Sequence, residues 1–353
     1  MKDVFDGNDW PFDDIPLAQP VAAAAPVQDE PAATAQPEPL RLGAGVHQID
    51  GADYHRDPCP EPSLSSTLAK TMLQQSPLHA WTDSPRLNPA WEPTDSKTFD
   101  IGRAAHRAVL GAGGDYVAIP SDLLASNGAA STKAAKEWIE DARATGKTPL
   151  KADEVEQIET MSAKARAHML LLGDDLDPAR SEMVAIAQIE GVWCRSMLDN
   201  VPLDARKPIY DFKTCESAHP LACRRSIEKY GYDVQAEHYR QVWLAATSED
   251  RAFRFIFQEK SAPHEICVVE LGHDTLFMAR KKITRAREMW RLCLDRGLWP
   301  GYPPGINRID LPEWAMAQWL ERESVEDEHK RQHGADILLA AMRWQAPENF
   351  FGA

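Results

Sequence analysis

Ser196-Met-Leu-Asp199 is followed, after a turn bounded by Pro202 and Pro208, by Ile209-Tyr-Asp211-Phe-Lys213-Thr214. The two stretches read as short apolar strands, the first ending in a carboxylate and the second carrying Asp-x-Lys. Successive side chains on a strand point to opposite faces, so Asp211 and Lys213 share one face and Phe212 takes the other. If the strands pair as a hairpin, Asp199 comes up beside them. Two carboxylates and an ammonium on one surface suit metal-assisted attack on a phosphodiester: the acids hold a hard divalent cation, and the lysine positions water or offsets charge on the phosphorane. A salt bridge on an exposed strand uses the same residue types, so the rest of the chain has to decide between the two.

The 353 residues are 43% hydrophobic, enough for one large core or two small ones. The net charge of −15 looks hostile to nucleic acid, but it is unevenly spread. Residues 1–62 hold nine Asp and three Glu against Lys2, Arg41 and Arg56, a balance of −9 that leaves the remaining body at −6. A local basic groove and a bound cation can reverse such a field near a site. Cysteines 59, 194, 215, 223, 267 and 293 form no C-x-x-C pair, which points to reduced, mostly buried thiols in a cytoplasmic protein rather than a disulfide framework or zinc ribbon. The acidic N-terminus lacks a signal-peptide pattern, and no apolar stretch is long enough to span a membrane.

Residues 1–45, rich in Pro, Ala, Gln and acid, are expected to form a disordered arm, because they cannot bury enough surface to offset ordering entropy. Within it, Asp9-Trp-Pro-Phe-Asp-Asp-Ile-Pro-Leu17 resembles the acidic-aromatic tip of bacterial single-stranded-DNA-binding proteins, although that tip normally ends its chain. A capped helix is predicted from Ser63, closed by Ser76-Pro77, and a second from Phe99 to Leu110, ending at Gly111. Further helices are predicted over about 131–144, 152–172, 219–229, 233–247, 275–296 and 312–323. Strands are predicted at Met183–Ile189, Val192–Leu198, Pro208–Lys213, Phe253–Gln258 and Ile266–Leu271. The order is that of an α/β core, a small mixed sheet flanked by helices, with a helical N-terminal elaboration. The expected division is an arm at 1–45, one domain at 54–320, and a peripheral helix or tail at 321–353.

Four further motifs surround the strand pair. Gly102-Arg-Ala-Ala-His106 puts a histidine one helical turn from a glycine, with small residues between that allow close packing; a neutral imidazole there can ligate a cation or contact phosphate. Glu182 and Glu190 flank the strand before Asp199, and either carboxylate could complete a metal shell, Glu182 being preferred because Glu190 sits at a turn. Gln235 and Tyr239, four apart, share a helix face just after the strand block. They suit hydrogen bonds to Lys213, to phosphate or to bound water, and equally a place in the core.

In order, G-x-x-x-H, E, D, D-x-K and Q-x-x-x-Y resemble the signature of the RecB-type branch of the PD-(D/E)XK nuclease superfamily. Leu64-Ser-Ser-Thr with Ser76-Pro77, Phe99-Asp-Ile-Gly-Arg-Ala-Ala-His106, Asp211-Phe-Lys-Thr214 and Tyr232-Asp-Val-Gln235 are similar to the C-terminal domain of RecE, exonuclease VIII, and its phage relatives. The likeness spans about residues 54–300. It implies a restriction-endonuclease-like PD-(D/E)XK core, with Asp199 and Asp211 as metal ligands, Lys213 as the catalytic lysine and His106 as a further ligand or phosphate contact. Gln235 and Tyr239 would be supporting residues. The implied cofactor is Mg²⁺, with Mn²⁺ as a substitute, on Asp199, Asp211, the Phe212 carbonyl and Glu182 or His106. Some RecB-type relatives carry an iron–sulfur cluster on four cysteines; that spacing is missing here, so no cluster is expected.

The resemblance further implies 5′ to 3′ digestion of one strand from a double-stranded DNA end, leaving a 3′ tail for a recombination partner. That partner would be a single-strand annealing or single-stranded-DNA-binding protein, and a homo-oligomer is implied too. Two other readings use the same residues: a structure-specific endonuclease of the same superfamily, and a non-catalytic DNA-binding scaffold.

Overall fold

The computed structural model describes residues 40–92, 100–112 and 115–342. Most of the arm expected at 1–45, and Phe99, lie outside the described residues. The chain enters through β1 (Gly45–His47), a one-turn helix α1 (Gly51–His55), α2 (Ser66–Gln74) and α3 (Pro77–Thr82). Ser65 and Ser76 cap α2 and α3, their hydroxyls accepting from the Leu68 and His79 N–H groups, and Pro77 opens α3 where a missing N–H costs nothing. Next come α4 (Asp100–Leu110), β2 (Tyr116–Ala118), α5 (Lys133–Ala144), β3 (Thr148–Leu150) and α6 (Ala152–Leu171). The strands β4 (Ser181–Ile189), β5 (Val192–Asn200) and β6 (Ile209–Cys215) follow, then α7 (Pro220–Tyr230) and α8 (Tyr232–Thr247). The core closes with β7 (Phe253–Glu259), β8 (Ile266–Glu270) and α9 (His273–Arg296), and α10 (Glu313–His333) and α11 (Ile337–Met342) trail from it.

The main sheet runs β1-β4-β5-β6-β7-β8, antiparallel throughout except for the parallel β6–β7 pair, so it is mixed as expected. A tight turn with left-handed Glu190 (φ 51) and Gly191 (φ 80) joins β4 to β5, the conformation that matches the twist of a two-residue hairpin. β2 and β3 form a separate parallel pair. Alternation along β6 and β7 sorts residues between two helical layers. Ile209, Phe253, Phe255 and Phe257 pack with α2, α8 and α9, whereas Tyr210, Phe212 and Ile256 pack with Ala105 and Val109 of α4 and Met161 and Ala165 of α6. Each fully buried aromatic here is worth roughly 1.5–3 kcal/mol relative to exposure.

The predicted helices and strands fall within a few residues of these elements, with one clear difference. The helix expected at 312–323 runs on to His333, through a stretch rich in good helix formers whose side chains pair one turn apart (Arg322–Glu326, 2.7 Å), and stops at left-handed Gly334. No helix among the described residues is long and apolar enough to cross a membrane. The six cysteines are all free, four of them buried.

His238 on α8 is fully buried and donates from Nε2 to the Arg195 carbonyl at 3.0 Å, while Nδ1 has no partner. Burial, with Arg287 and Arg195 nearby, pushes its pKa down to about 4. The folded chain therefore refuses a proton that the unfolded chain accepts below about pH 6.5. The histidine's contribution is intact above that pH and is lost as pH falls toward 4, reaching about 3 kcal/mol. Urea unfolding at neutral and acid pH checks this: His238→Gln, which keeps a donor but cannot titrate, should lose correspondingly less stability than the parent. Equal losses in the two proteins would exclude His238 as the group responsible.

Candidate active site

β5 and β6 pair at Asn200↔Tyr210. Beyond that point, the Phe212 N–H donates to the Asp199 carboxylate Oδ2 at 2.7 Å rather than to a carbonyl of β5. A side chain thus fills the gap where the strands part. The two helical layers reach neighbouring acids there: α4 brings His106 to Asp199 and α8 brings Gln235 to Asp211.

His106 Nε2 lies 3.1 Å from Asp199 Oδ2, and Nδ1 lies 3.7 Å from Glu182 Oε1. Asp211, 1% exposed, accepts at Oδ1 from Gln235 Nε2 at 2.8 Å; Oδ2 meets the Lys213 ammonium as an ion pair but takes no aligned hydrogen bond. The ammonium also stands 5.2 Å from the Tyr232 ring centroid, close enough for cation–π attraction. Glu182 is held at φ 51, between the ladder pairs Ser181↔Asn200 and Met183↔Leu198. A left-handed glutamate costs roughly 1–3 kcal/mol, strain that tends to collect at functional sites.

The groups shift one another's proton affinities. For Asp211, burial and then the Asp199 charge outweigh Lys213 and push the carboxyl up to about 6. Asp199 goes the other way: burial is overcome by the charge and hydrogen bond of His106, then by Lys213 and the Phe212 N–H, and its pKa falls. Two neighbouring acids driven apart in this way have different tasks open to them. His106 is raised, since Asp199 and Glu182 outweigh its burial; Lys213 is raised because Asp211 and Asp199 do the same. Burial, helped by Asp199, raises Glu182.

Of the residues singled out in the sequence, His106, Glu182, Asp199, Asp211, Lys213 and Gln235 come together, and Phe212 lines the same cleft. Glu190 does not join them. It sits at the hairpin turn beside Arg287 (3.3 Å), eight residues along β4 from Glu182, or roughly 26 Å. Tyr239 is buried in the core against Phe253, its hydroxyl paired with Ser66. Gly102 brings α4 close to β6, though a Cβ there would meet Thr214 Oγ1 at an ordinary 3.5 Å. Tyr232, beside the lysine, stands out in the sequence only as part of a motif. Lys70, which burial and Lys213 push down to about 8 and which lies 5.7 Å from the centroid of the same ring, carries no sequence signal.

Among the described residues, no three His, Cys, Asp or Glu form a ready metal cage. The donor set nevertheless suits a hard cation: two buried carboxylates, one with an oxygen lacking an aligned donor, and a third acid beside them. The chain has the core of a PD-(D/E)XK nuclease, a hydrolytic enzyme acting on DNA, and acid, acid and lysine on adjoining β-segments with a helix-borne histidine are its candidate active site. Residues 65–311 match the model of the family described as PDDEXK-like domain of unknown function (DUF3799), and the chain belongs to that family.

A protein from Eubacterium rectale provisionally named an exonuclease, known from a crystal structure, shares the fold at 12% identity, with 77% of this chain and 98% of that chain covered and a TM-score of 0.50. An alkaline exonuclease from Laribacter hongkongensis aligns at 13% identity over 57% of this chain and 98% of its own, with a TM-score of 0.22, too low to bear on the fold. No curated protein matches the chain.

Proposed function

We propose that the chain is a Mg²⁺-dependent exonuclease that digests linear double-stranded DNA 5′ to 3′ and leaves a 3′ single-stranded tail for recombination by annealing. One observation carries the reading: His106, Glu182, Asp199, Asp211 and Lys213 arrive from four elements at the gap where β5 and β6 part. The fold-mate from Eubacterium rectale, provisionally named an exonuclease, supports exonucleolytic action, and the motif likeness to RecE supports the polarity and the annealing partner. The nuclease body would occupy about residues 54–320 of a cytoplasmic protein, and Trp10, Phe12 and Ile15 would recruit the single-strand annealing or single-stranded-DNA-binding partner.

Asp199, Asp211 and the Phe212 carbonyl would hold Mg²⁺ or Mn²⁺, with Glu182 or His106 completing the shell. The bound ion supplies a Lewis acid and a more acidic water. Lys213 holds the attacking water and offsets negative charge on the phosphorane. Gln235 fixes the Asp211 carboxylate through Oδ1, leaving Oδ2 for the reaction. His106 orients Asp199 through its Nε2 contact. Tyr239 supports the sheet behind Asp211.

The test uses linear duplex labelled at one 5′ or one 3′ end, beside a covalently closed circle of the same sequence. With Mg²⁺, 5′ label should appear first as mononucleotide and the circle should persist. Release of the 3′ label first would reverse the polarity, and nicking of the circle would replace the exonuclease reading with an endonuclease.

A further inference from the structure

The cleft in front of the catalytic strands encloses about 1010 Å³, at the upper limit of the roughly 300–1,000 Å³ usual for small-molecule sites. Its lining includes the candidate catalytic edge, with Glu182, Phe212 and Lys213, and Asp50 and His55 at the two ends of α1. It also includes residues outside the main sheet: Arg143 in the last turn of α5, and Gly146, Lys147, Thr148 and Pro149 leading through β3. Arg103 of α4 joins them from the helix that carries His106. Gly146, at φ 74, makes the turn that sets Lys147 on the exposed rim. The residues that 143–149 contribute to the cleft include no carboxylate. In a chain of net charge −15, cationic side chains are thus gathered in the same cleft as acids that would repel a polyanion.

We propose that this α5–β3 wall is a backbone track: Arg143 and Lys147, with Arg103 beside the catalytic helix, bind phosphates of the DNA strand flanking the scissile bond. This inference rests on the nuclease reading. The track is indifferent to sequence, since phosphate contacts set register and orientation and carry no base information. It also resolves the charge problem locally. The acids and these cations line the same cleft, so the polymer is held by its neighbouring phosphates while one phosphate enters the site.

The experiment measures binding of a fluorescein-labelled duplex by anisotropy in EDTA, where no turnover occurs, over about 50 to 200 mM salt. Removing one cation that neutralises a phosphate should flatten the log–log salt dependence by about 0.7–0.9. Lys147→Gln should therefore flatten it by about that amount, and Arg143→Gln/Lys147→Gln by about twice as much. With Mg²⁺ restored, KM should rise while kcat at saturating DNA stays at the parent value. Lys133→Gln, on the far end of α5 and outside the cleft, should match the parent. If the parent binds and cleaves DNA while the Lys147 variant keeps the parent slope and KM, the track is wrong and the nuclease stands. If the parent neither binds nor cleaves duplex, both fall together.

Discussion

Lys213→Ala should lower the rate of Mg²⁺-dependent loss of end-labelled duplex by about a hundred- to a thousand-fold, while DNA binding in EDTA stays near that of the parent. The magnitude follows from what the ammonium does. A preorganised donor aimed at developing charge is typically worth about 2.7–4 kcal/mol in the transition state. Lys213 is held by the Asp211 carboxylate on one side and the Tyr232 ring on the other, so it needs no reorganisation when charge appears on the phosphorane. Lys213→Arg should not restore the rate, because a planar guanidinium cannot occupy the place of a compact ammonium between Asp211 and Tyr232. Asp211→Ala should be at least as severe, since it removes both a carboxylate proposed to hold the metal and the group that orients the lysine. Gln235→Ala should cost less, because it loosens Asp211 without removing it. A Lys213→Ala protein that digests duplex at the parental rate would remove the ammonium from the chemistry and leave the convergence of charges as a salt bridge. An inactive variant that has also lost its far-ultraviolet circular dichroism would be uninformative, so Lys213→Met, which keeps the aliphatic stem, is the companion; it too should fold and be inactive.

Much of this site is legible in the sequence because its parts lie on elements with strong local signals. β4 to β8 are runs of β-branched, aromatic and aliphatic residues, and the shared face of Asp211 and Lys213 follows from strand alternation alone. His106 is marked by the small residues around it, of which Ala104 and Ala105 prove fully buried. Local pattern cannot firmly separate Glu182 from Glu190: both bound the same strand, and both adopt left-handed backbone. Their difference is tertiary, one facing His106 and the other Arg287. The three-residue strands β1, β2 and β3 are too short to show a period, so the basic wall that β3 helps to build leaves no trace in the hydrophobic pattern. Arg195 does carry a signal of its own. A guanidinium in the middle of Val192-Trp-Cys-Arg-Ser-Met-Leu198 has no solvent to face, and a charge in an apolar strand demands a partner.

That partner is Asp57, and breaking the pair should be the largest stability change in the molecule. Arg195 is 4% exposed and Asp57 is fully buried, with Nη1 and Oδ2 3.2 Å apart. Ser63 stitches them together: Arg195 Nη1 donates to its carbonyl at 2.9 Å and its hydroxyl at 2.6 Å, while Asp57 accepts from its N–H at 2.8 Å and its hydroxyl at 2.7 Å. The guanidinium also lies 5.5 Å from the Tyr54 ring centroid. Asp57→Leu should cost about 3–5 kcal/mol, because it strands a positive charge in the interior and leaves donors of Ser63 and Cys59 unmet. Arg195→Met alone should cost a similar amount by stranding the carboxylate. The double variant Asp57→Leu/Arg195→Met should recover much of the loss, since an apolar pair of similar volume escapes the desolvation cost that two ions bear. Urea unfolding of the four proteins forms the cycle. Strictly additive losses in the double variant would mean that the two side chains act separately, through Ser63 and Tyr54, rather than on each other. Function is tied to the same strand: Arg195 lies four residues before Asp199, and its pairing with Asp57 fastens the segment leading into α2 against β5. A single variant that still folds should therefore digest DNA more slowly than the parent, and the double variant should regain activity in step with stability.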